Sequence, residues 1–159
     1  MKREFAPYLV CEVFDEIERG KRLKKADHKP GVVPYASSTA MNNGIDGFIE
    51  ASPGTRVFYE CISLANSGSV GSAFYEPFAF VASDHVTHLK KEGLSEEQYL
   101  YAACAIEKQS VNYNFNREIN DARIKKMRIM LPVDDEGNPD WAYMTSYSAS
   151  KRGGVADAL

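Results

Sequence analysis

A chain of 159 residues, 44% hydrophobic, 26% charged and 11% aromatic, has the make-up of an ordinary globular domain, large enough for one core and too short for two. Composition excludes disordered and fibrous classes, and no run reaches the roughly 18 apolar residues of a membrane span. A net charge of −3 speaks against a domain that holds nucleic acid through bulk positive charge alone.

Three widely spaced cysteines, Cys11, Cys61 and Cys104, form no CxxC pair, so a reducing cytoplasm is the expected setting. Lys2 and Arg3 precede a short apolar patch, but Glu12, Asp15 and Glu16 follow at once, unlike a signal peptide. Charge is uneven along the chain. Residues 1–30 carry eight Lys/Arg against six acids, residues 31–109 four against nine, and residues 110–159 seven against seven. Arg19, Lys21, Arg22, Lys24, Lys25 and Lys29 are opposed locally only by Asp27, and Arg117, Arg123, Lys125, Lys126 and Arg128 form a second cluster. Brought together by folding they would make a phosphate-binding face; left apart they are two solvated charged segments.

In chain order, Val10 to Arg19 mixes a helical turn with a strand, and Gly20 releases the chain into the basic segment. Val32–Ala36 is a short strand in which Pro34 favours an edge. Asn42-Asn43-Gly44 signals a turn, since Asn and Gly tolerate left-handed backbone, and Ile45–Ile49 alternates as a strand. After the turn at Ser52-Pro53-Gly54, strands are expected from Arg56 to Leu64 and from Ala73 to Leu89, the latter broken near Glu76-Pro77. Ser95, with Gln98 three positions on, opens a helix that runs to about Gln109 with Leu100, Ala103, Cys104 and Glu107 on one face. A polar and aromatic segment, Ser110 to Arg117, leads into a short helix through Ile119, Ala122, Arg123 and Met127. Arg128–Pro132 reads as a last strand and Asp134–Pro139 as a turn. The small polar stretch from Ser146 predicts a division into a domain over residues 1–147 and a flexible tail over 148–159.

Candidate chemistry is sparse. Asn66-Ser67-Gly68-Ser69-Val70-Gly71 has the glycines of a phosphate cradle but lacks the lysine of GxxxxGK[ST] and a following helix. His85 and His88 lie on opposite faces of one strand and cannot share a metal, His28 sits alone in the basic loop, and Asp84 beside His85 is mere adjacency. Neither a PD-(D/E)xK nor an NPPY pattern is present, so no enzymatic role and no metal is expected. Phe48, Phe58, Phe74, Tyr75, Phe78 and Phe80 occur at strand spacing and are assigned mainly to the core rather than to a stacking platform for single strands.

Taken in order, Gly20–Asp27, Val33–Ser38, Asn42–Phe48, Asn66–Gly71, Phe74–Pro77 and Ser83–Val86 resemble successive blocks of the target recognition domain of restriction-modification specificity subunits. Asn116-Arg117, Lys125–Met127, Ile129–Pro132 and Pro139–Met144 continue the similarity, particularly to BcgI-like subunits, over roughly residues 8 to 147. The resemblance implies an α+β domain with a strongly twisted, mostly antiparallel sheet packed by helices. It implies sequence-specific binding of double-stranded DNA that directs methyltransferase and endonuclease subunits, with S-adenosylmethionine and magnesium held by those partners and no cofactor in this chain.

The residue types suit reading DNA. Asn pairs with adenine, Arg and Lys with guanine, and Ser or Thr with several base edges. Ser37, Ser38, Thr39, Asn42, Asn43, Asn112, Asn114 and Asn116 are candidate readers; Tyr113 could pack on a sugar or thymine methyl; Asn66, Ser67 and Ser69 could touch DNA. Lys21, Arg22, Lys24, Lys25 and Arg117 would hold phosphates, which fixes register without selecting sequence. Full specificity subunits typically carry two such domains separated by long helices, whereas here there is one, with no heptad pattern after Met144. A half subunit that forms a homodimer, a fragment and a repurposed domain all fit that departure. A stand-alone interaction protein that mimics a subunit, occupies the methyltransferase and blocks restriction is the alternative of another class. An RNA-binding module is disfavoured by the assignment of the aromatics to the core.

Overall fold

A computed structural model describes residues 2–158. In chain order the elements are β1 (Phe5–Leu9), α1 (Val10–Val13), β2 (Glu16–Arg19), β3 (Pro30–Ala36), β4 (Ile45–Ile49), β5 (Cys61–Ala65) and β6 (Ala73–Glu76). There follow β7 (Val81–Ala82), β8 (Val86–Lys90), α2 (Glu96–Glu107), α3 (Asp121–Ile124), β9 (Arg128–Pro132) and α4 (Trp141–Ala158). The expected α+β class and the largely antiparallel pairing hold. The strands, however, divide among three sheets instead of forming one. The central sheet has the order β2-β8-β5-β6 with every pair antiparallel; β1 and β9 form an antiparallel ribbon; and β3 lies between antiparallel β4 and parallel β7.

Backbone geometry explains the division. Glu60 adopts a left-handed conformation (φ 47°), which breaks the expected Arg56-to-Leu64 strand, so that β5 starts only at Cys61. Only Phe58, bridged to Phe80, pairs before β5 begins. Downstream of β6 the chain crosses through Pro77 to β7 and returns as β8, so one expected strand becomes three. Three hydrophobic clusters result. The largest joins Ile62 and Leu64 of β5, Leu89 of β8, Ile129 and Leu131 of β9, and the inner faces of α2 and α4. A second contains Ala36, Phe58, Phe80 and Val86 beneath the three-stranded sheet. The third is Tyr35, Ile49 and Val81 within that sheet.

The α2 start behaves as its sequence predicts. Ser95 Oγ accepts from Gln98 N, and Gln98 Oε1 accepts from Ser95 N at 2.9 Å, a complete capping box. Its buried face, however, is Tyr99, Ala102, Ala103 and Ile106; Cys104 is exposed and Leu100 half-buried, a rotation away from the expected stripe. Tyr99 fixes that rotation because its hydroxyl donates to Lys91 O at 2.8 Å and its ring stacks on Tyr75.

Residues 148–158, expected as a tail, continue α4 as helix, and of that stretch Leu159 alone lies outside the described residues. Asp140 Oδ1 accepts from Tyr143 N at 2.8 Å and caps the start. Met144 and Ser148 are buried against the body, Gln98 Nε2 donates to Thr145 Oγ1 at 3.0 Å, and Arg152 pairs with Glu97 at 3.1 Å. No helix among the described residues is long and apolar enough to cross a membrane.

Candidate functional site

Four loops meet around the end of β5. Asn66, immediately after that strand, is nearly inaccessible at 2% exposure. Its N–H donates to His85 O (2.9 Å), its carbonyl accepts from Ile119 N (2.9 Å), and its side-chain Oδ1 accepts from Thr87 Oγ1 (2.9 Å). Ser67, also buried, places Oγ 2.8 Å from Nδ1 of His85. Neither residue is available to DNA as expected; both tie the glycine-bearing loop to its neighbours. The Oδ1 of Asn66 and the Oγ of Ser67 keep hydrogen bonds in place of those to water, while Asn66 Nδ2 is buried without a partner among the described residues.

The next residues carry the tie outward. Ser69 N donates to Ser38 O at 3.0 Å, and a Cβ on Gly68 would stand 2.6 Å from that same carbonyl. Gly71, with φ +88°, lies so close to the third loop that a Cβ there would stand 2.5 Å from Cβ of Ser110. The Asn66–Gly71 segment is therefore a wedge between the Ser37–Gly44 and Ser110–Arg117 loops.

On the Ser37 side lies a groove of about 700 Å³ whose lining includes Arg22, Lys24, Lys25 and Lys29 together with Ser37 and Ser38. The four cations oppose Asp46 and Asp84, and the buried floor is Tyr35, against whose ring His28 packs edge-on. Burial, then the nearby Asp84 and Asp46 carboxylates, push the Tyr35 hydroxyl above its ordinary pKa, so the floor stays neutral. Lys21 is exposed on the same segment without lining the groove.

The Ser37–Gly44 loop turns through consecutive left-handed residues, Asn42 (φ 50°), Asn43 (φ 54°) and Gly44 (φ 76°). Asn is the residue besides Gly that visits this region readily. Both Asn side chains are exposed, while Thr39 Oγ1 accepts from Met41 N and shapes the turn from within.

In the third loop, Asn114 and Arg117 exchange two backbone hydrogen bonds (3.2 and 2.9 Å), and Asn114 Oδ1 accepts from Asn116 N at 2.9 Å. Asn112, Asn114, Asn116 and Arg117 are exposed. Tyr113 is half-buried against the main core with the Arg117 guanidinium 5.6 Å from its ring centre, so it supports the loop rather than offering a free face.

The two basic clusters are bridged by one contact. Arg19, where the basic loop begins, donates to Asp121 of α3 at 2.9 Å and to Asp84 O at 3.2 Å. Lys125 instead lines a separate recess beside Cys11 and Phe14, away from the groove.

Several surface residues escape a reading by composition. Phe48 (61% exposed) and Phe78 (39%) are not core; Phe58 and Phe80 are, while Phe74 and Tyr75 are half-buried. Phe115 (81%) and Met41 (69%) protrude from the third and second loops. His88, in β8, is buried on Phe58, while His85 is exposed in the turn before that strand, not on it as expected, so the strand period does not decide its direction.

A family model described as the type I restriction modification DNA specificity domain matches residues 4–152. The specificity subunit S.BcgI of a type II restriction enzyme from Heyndrickxia coagulans is 35% identical over 147 residues, 90% of this chain and 42% of that protein. The type I S subunit of M. genitalium shares the fold with a TM-score of 0.63 at 15% identity, over 97% of this chain and 41% of that one. The HsdS subunit of Thermoanaerobacter tengcongensis does so with a TM-score of 0.66 at 13% identity, over 96% and 38%. A chain from a solved type I restriction-modification system gives 0.67 at 16% identity, over 99% and 40%. The chain thus spans about two fifths of the length of these relatives. Family model and curated relative together place it: this chain belongs to the type I restriction modification DNA specificity domain family.

Proposed function

We propose that this domain recognises a short sequence in double-stranded DNA and thereby directs partner subunits that methylate or cleave it. The observation that carries the reading is the groove in which Arg22, Lys24, Lys25 and Lys29 face polar Ser37 and Ser38, braced to two further Asn-bearing loops. The cations supply phosphate contacts that set register, and the exposed amides of Asn42, Asn43, Asn112, Asn114 and Asn116 supply hydrogen-bonding to base edges. Local positive charge on a chain of net charge −3 favours one docking orientation over indiscriminate adhesion.

The domain makes and breaks no covalent bond in this reading. S-adenosylmethionine and magnesium chemistry belongs to methyltransferase and endonuclease partners, and two copies of the chain would read a two-fold symmetric site. Its setting is the cytoplasm, where Cys11, Cys61 and Cys104, all unbridged, remain thiols.

Selection from a pool of random duplexes, with and without a methyltransferase partner, tests the reading. Enrichment of one sequence bound with a Kd of roughly 10⁻⁸ to 10⁻¹¹ M supports it. A pool that stays random in both conditions refutes it, and capture of a methyltransferase without any DNA affinity would assign the chain to a subunit mimic.

A further inference from the structure

Among the described residues, Phe115 is the most exposed aromatic, at 81%. A phenyl ring left in water forgoes the burial that stabilises folded chains. The Asn114–Arg117 turn is closed by two backbone hydrogen bonds and by the Asn114 side chain. Both flanks of the segment are pinned, Ser110 against Gly71 and Ile119 through its N–H to Asn66 O, with the Ile119 side chain only 1% exposed. Phe115 is thus held out at a fixed tip, with the exposed hydrogen-bonding groups of Asn114, Asn116 and Arg117 beside it.

An apolar ring among polar readers has a specific counterpart in duplex DNA. The edge of each base pair in the major groove presents donors and acceptors, and the one apolar feature there is the 5-methyl group of thymine. A wedge that opens a base step would instead be expected to kink the duplex from the minor groove.

We propose that Phe115 is a specificity-determining residue that packs on the 5-methyl group of a pyrimidine, thymine in unmodified DNA, while Asn114, Asn116 and Arg117 engage the neighbouring base edges and phosphate. The proposal rests on the DNA-recognition reading above. 5-Methylcytosine carries the same methyl group, so Phe115 accepts it at that position more readily than cytosine.

The test uses the full chain and the duplex it selects. Each thymine of that duplex is replaced in turn by deoxyuridine, which differs by the methyl group alone, and Kd is measured for wild type and for Phe115→Ser and Phe115→Leu. One replacement is expected to weaken wild-type binding about fourfold, the factor a buried methyl-sized group gives. Phe115→Ser should bind thymine and uracil duplexes alike with an unchanged salt dependence, and Phe115→Leu should retain part of the difference. A flat thymine-to-uracil series in wild type, a selected site without thymine, or an undiminished difference in Phe115→Ser overturns the proposal and leaves sequence recognition standing. So does a Phe115-dependent rise in 2-aminopurine fluorescence, which marks a wedge, or a Phe115→Ser chain that loses only a methyltransferase partner. A wild-type chain that selects no sequence overturns recognition and the Phe115 role together.

Discussion

Replacing Glu76 by glutamine should make the protein markedly more stable in alkaline than in acidic buffer, relative to wild type. Glu76, in β6, is completely buried; Oε1 accepts from Ser63 Oγ at 2.8 Å, and Oε2 has no hydrogen-bond partner. Burial raises its pKa from an ordinary 4.5 to about 7, against a smaller opposing effect of the Ser63 hydrogen bond. The folded state therefore holds a proton that the unfolded chain releases, and its contribution to stability is full below 4.5 and lost as pH rises through about 7. Each pH unit across that window is worth about 1.4 kcal/mol, so the loss totals about 3 kcal/mol. Glu76→Gln keeps the shape and removes the titration. Urea unfolding followed from pH 4 to 8 should give a small, constant difference at the acidic end and a gain for the variant approaching about 3 kcal/mol at the alkaline end. Parallel stability curves for the two proteins across that range would show that Glu76 is solvated or paired, and would refute the reasoning.

Three further outcomes follow from the loops. Lys24→Ala combined with Lys25→Ala should weaken all duplexes alike and reduce the slope of log K against log salt by about 2, and an unchanged slope removes this flank from the interface. Asn43→Gly should leave urea stability intact and relax selection at one base position, whereas Asn43→Ala should also cost about 1 kcal/mol for its left-handed backbone (φ 54°); equal stabilities would show that the turn is not strained. Gly71→Ala, at φ +88° and 2.5 Å from Ser110 Cβ, should destabilise the fold by about 2 kcal/mol or more and disturb the third loop; amide exchange at Ser110–Arg117 that matches wild type would contradict that contact.

Elements whose formation is decided locally were the legible ones. The Ser95–Gln98 capping box, the Asn42–Gly44 turn and the Arg128–Pro132 strand each carry their own instruction, and each forms where it was expected. What tertiary contacts decide was hidden. The residues from Ser146 onward have no apolar stripe, and they are helical because Asp140, Gln98 and Glu97, distant in sequence or outside the stretch, cap and hold them. Periodicity likewise places aromatics on strands without telling Phe58, which is covered, from Phe48, which is bare. Asn66 reads as a surface amide because loop asparagines usually are; its burial depends on partners 19 to 53 positions away, His85 and Ile119. Proximity of the basic loop to Ser37 and Ser38 also follows only once β3 is paired with β7.

The bonds that Asn66 makes to His85, Thr87 and Ile119 bear on how errors in a target would be counted. If each loop could shift independently, a wrong base under one tip could be relieved by sliding that tip to a neighbouring position. Cross-bracing denies this freedom: under the proposed recognition the tips at Asn43 and Phe115 would keep their separation, and each would meet only the base at its own place. Mismatch penalties of about 1 to 3 kcal/mol should then add across the site instead of compensating one another, so two substitutions would cost close to the sum of each alone.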